Sequence, residues 1–236
     1  MVYESQVPVG ATPEYMAGQY MLQGASSFLP VMALAPQEGE QVVDMAAAPG
    51  GKTTYLSALL RNTGMVFANE INRERLKSLT ANLQRMGATN AIVCNYDGRE
   101  LPRVLGERSV DRVLLDAPCS GTGTLRRHPD IAWLKDEEDV GRLTLTQDRL
   151  LLHAVQQLKP GALLVYAVCS LQEDEGLARI EALLARDSRL HRVPVQLAEL
   201  PGLDGALTKD GDVRTLPSMW PERGGLDGFY VARLTL

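Results

Sequence analysis

Six short runs of apolar and β-branched residues punctuate the chain: Gln41–Met45, Met65–Ala68, Ala91–Asn95, Val110–Leu115, Ala162–Ala167 and Phe229–Leu236. Runs of this length predict strands rather than helices. Between them the apolar spacing changes to three and four. Leu76, Leu79, Leu83 and Met86 recur in that way ahead of Gly87, which predicts a helix with a glycine cap. Leu151, Ala154, Val155 and Leu158 repeat the pattern, and Pro160-Gly161 is expected to stop that second helix. Strands alternating with helices at this spacing predict βαβ units, a mostly parallel sheet and an α/β fold. Ligands of such sheets bind beyond the carboxyl ends of the strands, where strand order reverses. Thr12 followed by Pro13 predicts a helix start. Residues 1–40 therefore read as a helical extension and residues 41–236 as the main domain. Residues 186–228, rich in Pro and Gly, are expected to be irregular before an antiparallel last strand.

Composition changes little in this picture. The chain has 236 residues, 45% of them hydrophobic and 22% charged, as in an ordinary globular domain. No apolar run approaches the ~20 residues of a membrane helix, and the first fifteen residues lack a signal-peptide layout. Three cysteines are too few for a disulfide framework, and a reducing, cytoplasmic setting is expected. His128, His153 and His191 lack metal-ligand spacing, so no metal is expected. A net charge of −5 weighs against nucleic acid as a partner, since phosphates are normally met by surplus Lys and Arg.

Chemistry concentrates just after the strands. Val42–Thr54 reads as strand, small-residue turn and helix start, with Gly50 and Gly51 free to take tight geometry and to expose N–H groups to a ligand. A phosphate loop would need glycine at Ala46, and the dinucleotide pattern of three glycines is missing. Glu70 follows the second strand, where a carboxylate accepts both hydroxyls of a ribose. Asp97 follows the third. Alone, an Asp-Gly is a turn former; as the third member of the series it fits an adenosine-bearing cofactor across the sheet edge.

The fourth strand runs into Asp116, Pro118 and Cys119, and the fifth into Cys169. A free cysteine is commonly a small buried hydrophobe, the reading taken for Cys94 within the third strand. Two cysteines, each followed by Ser and each past a strand, point instead to thiol chemistry. Cytosine C5 is a poor nucleophile until a thiolate adds at C6. A second group must then help the adduct resolve, with Asp116 and Lys52 placed to orient the base.

The segments DMAAAPGGKT, DAPCSGTGT and VYAVCS together resemble the Sun/Fmu family of RNA cytosine-C5 methyltransferases, and the likeness runs from VPVGATPEY to GFYVARL. It implies a Rossmann-like class I methyltransferase fold, a mostly parallel seven-stranded sheet flanked by helices, and S-adenosylmethionine as donor. It also implies Cys169 as nucleophile, Cys119 in product release, and RNA, foremost rRNA, as substrate. By motif, Ala47, Ala48, Pro49, Gly50, Gly51 and Lys52 would wrap the cofactor, with Glu70 at its ribose and Asp97 at its adenine. Arg75, Gly98 and Pro118 complete that set, and Asp116 and Lys52 would face both cofactor and base. The usual Thr before the nucleophile is Val168 here, which removes a hydroxyl that could support the thiolate.

Residues 3–116 resemble the eukaryotic nucleolar branch and the chain beyond Thr124 the bacterial small-subunit enzymes. Either a recombined chain or a divergent natural bacterial member fits this mosaic, and a eukaryotic origin would place it in the nucleolus. The family commonly carries an RNA-binding domain ahead of this core, so RNA affinity is expected partly from a separate domain or partner, and the chain is expected to be monomeric. Arg126, Arg127 and His128 are candidates for flanking phosphates, although for Arg127 by itself a solvated loop is the expected reading. Trp133 and Trp220 are expected to be partly packed. Competing readings are a tRNA enzyme, an amine or protein methyltransferase with structural cysteines, and a non-catalytic RNA-binding factor.

Overall fold

The computed structural model describes residues 8–107 and 109–236. Helices α1 (Pro13–Met16) and α2 (Leu29–Leu34) precede strand β1 (Gln41–Asp44). Then follow α3 (Gly51–Leu59), β2 (Met65–Asn69), α4 (Arg73–Arg85), β3 (Ala91–Cys94), α5 (Leu101–Leu105) and β4 (Val110–Asp116). Helices α6 (Ile131–Leu134) and α7 (Glu137–Gln157) lead to β5 (Leu158–Val168) and α8 (Leu177–Arg186). Strands β6 (His191–Arg192), β7 (Val213–Thr215) and β8 (Phe229–Thr235) end the chain.

The sheet runs β3-β2-β1-β4-β5-β8-β6. It is parallel through β5 and antiparallel at β8. It is mostly parallel, as expected, but holds eight strands rather than seven. The eighth strand, β7, pairs with β8 at residues 229–231 while β6 pairs at 234–235, so both share one edge. Both lie in the stretch expected to be irregular, because strands of two and three residues leave no periodic trace. Strand order reverses between β1 and β4, which places the ligand crevice above their carboxyl ends.

Consecutive residues of the central strands are buried on opposite faces. Val43, Val113 and Leu115 join α7 and α8 through Leu151 and Ile180, whereas Val42, Leu114 and Val165 join α2 and α3 through Leu34 and Leu56. Burial on both sides explains why these strands read as unbroken apolar runs. Thr12 caps α1 by accepting from Tyr15 N at 3.2 Å, with Pro13 at the first helical position. Asn72 caps α4, whose Leu79 and Leu83 are buried, and Gly87 beyond its end has φ 67°.

One boundary differs from the expectation. Leu158 is not the last helical residue but the first of β5, paired with Val110. An apolar residue at that point satisfies either periodicity, and the approach of Pro160 favours extended backbone.

Candidate active site

Five strand ends bring the chemistry together. A cavity of about 570 Å³ is lined by Ala48, Glu70, Arg75, Asp97, Gly98, Asp116, Pro118, Cys119 and Cys169. Helix α7 closes it with Thr146, Arg149 and Leu150, and Arg99 also lines it; none of these four was foreseen. They carry no local motif, and only the packing of α7 across the strand ends brings three of them there. A neighbouring cavity of about 420 Å³ takes Ala47, Pro49, Gly51 and Lys52, together with Met21–Gly24, Arg127 and His128. Asp116 borders both.

Gly50 lines neither cavity. Its φ of 104° opens α3, and a Cβ there would lie 3.1 Å from Leu79 Cδ1, so glycine serves the turn and the packing against α4.

At the β2 end, Glu70 is 3% exposed. Its Oε1 accepts from Asn72 N at 2.8 Å. Its Oε2 lacks a hydrogen-bond donor among the described residues, though Arg75 Nη1 stands 3.3 Å away as an ion pair. Arg75 also donates to the Ala48 carbonyl at 2.5 Å, which ties the small-residue turn to α4. A buried carboxylate oxygen without a donor, at the rim of a cavity, suits a ribose hydroxyl. The residues present therefore fit an adenosine-bearing donor. Asp97 accepts from Arg99 through both backbone and side chain. That contact, ahead of the opposing effect of burial, holds its carboxyl below the usual range. Gly98 is packed so closely that a Cβ would come within 2.7 Å of Leu150.

At the β4 and β5 ends, Cys119 Sγ and Cys169 Sγ are 3.4 Å apart. The contact with Cys119 draws the Cys169 thiol below its ordinary range, against the cost of burial, with Lys52 assisting. The same contact, with burial, pushes Cys119 well up. The two thiols titrate as a pair: one sulfur can ionise while the other keeps its proton, and either can donate the S–H. Lys52 Nζ stands 2.7 Å from Asp116 Oδ2. Burial opposes its charge, but the Asp116 and Asp44 carboxylates outweigh that and keep it protonated. Cys94 is buried away from this group in β3.

Gly123 joins the loops around the thiols. Its N–H donates to the Cys169 carbonyl at 3.0 Å and its carbonyl accepts from Gly228 N at 2.8 Å. A Cβ would fall 1.9 Å from the Gly228 oxygen, so no side chain fits there. Val168 is wholly buried in the apolar cluster with Leu115 and Tyr166, so the position before Cys169 faces hydrocarbon.

The family model for 16S rRNA methyltransferase RsmB/F matches residues 31–235. The chain belongs to the RsmB/F family. It is 48% identical over 99% of its length to the human 28S rRNA (cytosine(4447)-C(5))-methyltransferase, of which it covers 29%. It is 40% identical over 98% of its length to the ribosomal RNA small subunit methyltransferase F of Cronobacter sakazakii, of which it covers 48%. The chain thus spans half or less of these RsmB/F relatives. Its fold matches NSun6 from Pyrococcus horikoshii, solved with the S-adenosylmethionine analogue SFG, with a TM-score of 0.82 and 26% identity, over 97% of this chain and 56% of that one.

Three expectations about flanking residues change. Arg127 is no free loop side chain: it donates to Asp227 at 2.6–3.1 Å, and Asp227 is 1% exposed. Arg126 reaches the same carboxylate at 3.5 Å. Trp133 is 91% exposed rather than partly packed, because the four-residue α6 lifts it off the body. Trp220 is partly packed as expected, with Nε1 donating to the Gly202 carbonyl. Sequence reasoning also passed over Glu175, whose carboxylate bonds the serines after both cysteines. The repeated Cys-Ser was the only hint of it.

Proposed function

We propose that this chain methylates C5 of a cytosine in RNA, ribosomal RNA foremost, with S-adenosylmethionine as donor. The observation that carries the reading is the 3.4 Å sulfur contact within the cavity that also holds Glu70, Asp97 and Asp116. The printed activities of the relatives point the same way.

Ala47, Ala48, Pro49, Gly51, Glu70, Arg75, Asp97, Gly98 and Pro118 would hold the donor, with Glu70 at the ribose hydroxyls. When bound, the donor supplies an electrophilic methyl group. The Cys169 thiolate adds to C6 of the cytosine and forms a carbon–sulfur bond, leaving C5 electron-rich. Asp116, held by Lys52, steadies the base and its developing charge. After C5 has been alkylated its proton must leave, so that the C6–S bond breaks and the Cys169 thiolate departs.

Cys119 takes that proton. While Cys169 is free, its sulfur holds Cys119 in the thiol form. Once Cys169 is bound as a thioether, that contribution disappears, the Cys119 S–H gives its proton to solvent more readily, and the thiolate so formed accepts the C5 proton. Two residues thereby divide nucleophile and base, and the first step readies the second.

The second cavity, with Arg127 and His128 on its wall, shares Asp116 with the cavity that holds the thiols. Trp133 offers an aromatic face to a neighbouring base. With a net charge of −5, the monomeric chain depends on a further domain or a partner for much of its RNA affinity. Incubation with labelled S-adenosylmethionine and separate rRNA and tRNA pools, followed by nucleoside mapping, tests the reading. Label in 5-methylcytosine of rRNA is the expected result; label only in other nucleosides, or only in protein, overturns it.

A further inference from the structure

Glu175 has no place in the scheme above, yet it is the most completely enclosed carboxylate near the thiols, at 0% exposure. It forms no ion pair with a described residue; hydrogen bonds alone hold it. Oε1 accepts from the Ser120 backbone N–H at 2.8 Å and from Gln147 Nε2 at 3.1 Å. Oε2 accepts from the Ser120 hydroxyl at 2.5 Å and from the Ser170 hydroxyl at 2.6 Å. Gln147 also donates to the Pro118 carbonyl at 2.9 Å. Glu175 is itself anchored to β5, because its backbone carbonyl accepts from the Tyr166 hydroxyl at 2.6 Å.

A buried carboxylate without a cation costs several kcal/mol unless its lone pairs are filled. Here both oxygens are filled, and three of the four donors belong to residues directly following the two cysteines. Apolar packing would have closed the space with less desolvation. A carboxylate offers what packing does not, namely two directional acceptors in fixed relation, one of them shared between the two loops.

We infer that Glu175 is a positioning residue that clamps the Cys119 loop to the Cys169 loop and so sets the separation of their sulfurs. The inference rests on the reading that the thiols act as a pair, but sulfur separation is measurable without RNA. Diamide converts two adjacent thiols to a disulfide: the sulfurs lose two electrons and two protons, the S–S bond forms, and the azo group is reduced to the hydrazine. In the wild-type chain the Cys119–Cys169 bond should close rapidly. Glu175→Gln keeps one good acceptor and should slow closure by about tenfold, as expected when a close pair drifts by a fraction of an ångström or more. Ser120→Ala with Ser170→Ala removes the hydroxyl donors and leaves the carboxylate, and should slow closure similarly. Should Glu175→Gln fail to fold, as judged by thermal melting and by binding of an S-adenosylmethionine analogue, the serine pair decides the matter.

Methyl transfer supplies the second readout. A lost clamp lowers kcat by about 10²-fold and leaves KM for RNA within about threefold, because reacting groups are misaligned while binding surfaces persist. Unchanged disulfide closure in folded variants overturns the inference. Slowed closure, in a protein whose wild type methylates no RNA, upholds the clamp and overturns the proposed activity instead.

Discussion

The two halves of the strand-end edge are built differently. At the ends of β2 and β3 the charged groups meet near neighbours in sequence, Glu70 with Asn72 and Arg75 and Asp97 with Arg99, and Glu70 Oε2 keeps an open acceptor position among the described residues. The arginines are half-exposed, Arg75 at 53% and Arg99 at 47%, and can swing away when a ligand competes for the carboxylates. At the ends of β4 and β5 the partners come from other segments: the buried Gln147 on α7 and Glu175 before α8, and the partly buried Lys52 from α3 on Asp116. The donor half is adaptable and the thiol half preorganised. Chemistry that depends on sulfur positions within fractions of an ångström needs the second kind of construction, whereas a cofactor with many contacts tolerates the first.

This contrast can be broken from either side. The largest effect is expected from Cys169→Ala, which should cost on the order of 10⁴-fold in methyl transfer while donor-analogue binding persists. Residual turnover within about tenfold of wild type would mean that the thiols are structural. Cys119→Ala should stall after methyl transfer, since nothing nearby replaces its base, and should accumulate a covalent protein–RNA species on a denaturing gel. Absence of that species, with normal turnover, would remove Cys119 from the mechanism.

On the donor side, Glu70→Ala should raise the KM for S-adenosylmethionine by about tenfold to a hundredfold, the worth of a charged hydrogen bond to a hydroxyl, with kcat little changed. A fall in kcat at unchanged KM would erase the distinction between the halves.

The smallest effect concerns the base of the edge. Asp44 is buried at the end of β1, with Thr53 Oγ1 donating to Oδ2 at 2.7 Å and with Oδ1 lacking a side-chain partner among the described residues. Burial, against the hydrogen bond from Thr53, pushes its carboxyl up to about 6. The folded state then holds this proton more tightly than the unfolded state. The resulting stability is complete below the unfolded value, near 4, and is lost as pH rises through about 6; it amounts to at most about 3 kcal/mol. Asp44→Asn should flatten that step in denaturant titrations at pH 5 and pH 8; an unaltered difference would show that Asp44 ionises freely.

The fold was legible where the chain repeats itself. Five strands fall within a residue or so of the apolar runs; the central ones read so because they are buried on both faces, while the edge strand β3 is apolar although Ile92 and Val93 are exposed. Leu158 misled because one buried leucine serves either the end of α7 or the start of β5. β6 and β7 left no pattern to find. In the site, Glu70, Asp97, Asp116 and both cysteines were visible as reactive residues after strands. Arg149, Leu150 and Glu175 were not, since their place depends on how α7 and the segment before α8 cross the sheet.

The order of apolar and polar residues by itself determined which side chains stand at the carboxyl edge of the sheet, because that follows from local backbone periodicity. Tertiary structure alone decided that two sulfurs fifty residues apart would meet at 3.4 Å, that Arg127 would be bound to Asp227, and that Trp133 would stand in solvent. Each of these depends on packing between segments far apart in the chain, where no local preference reaches.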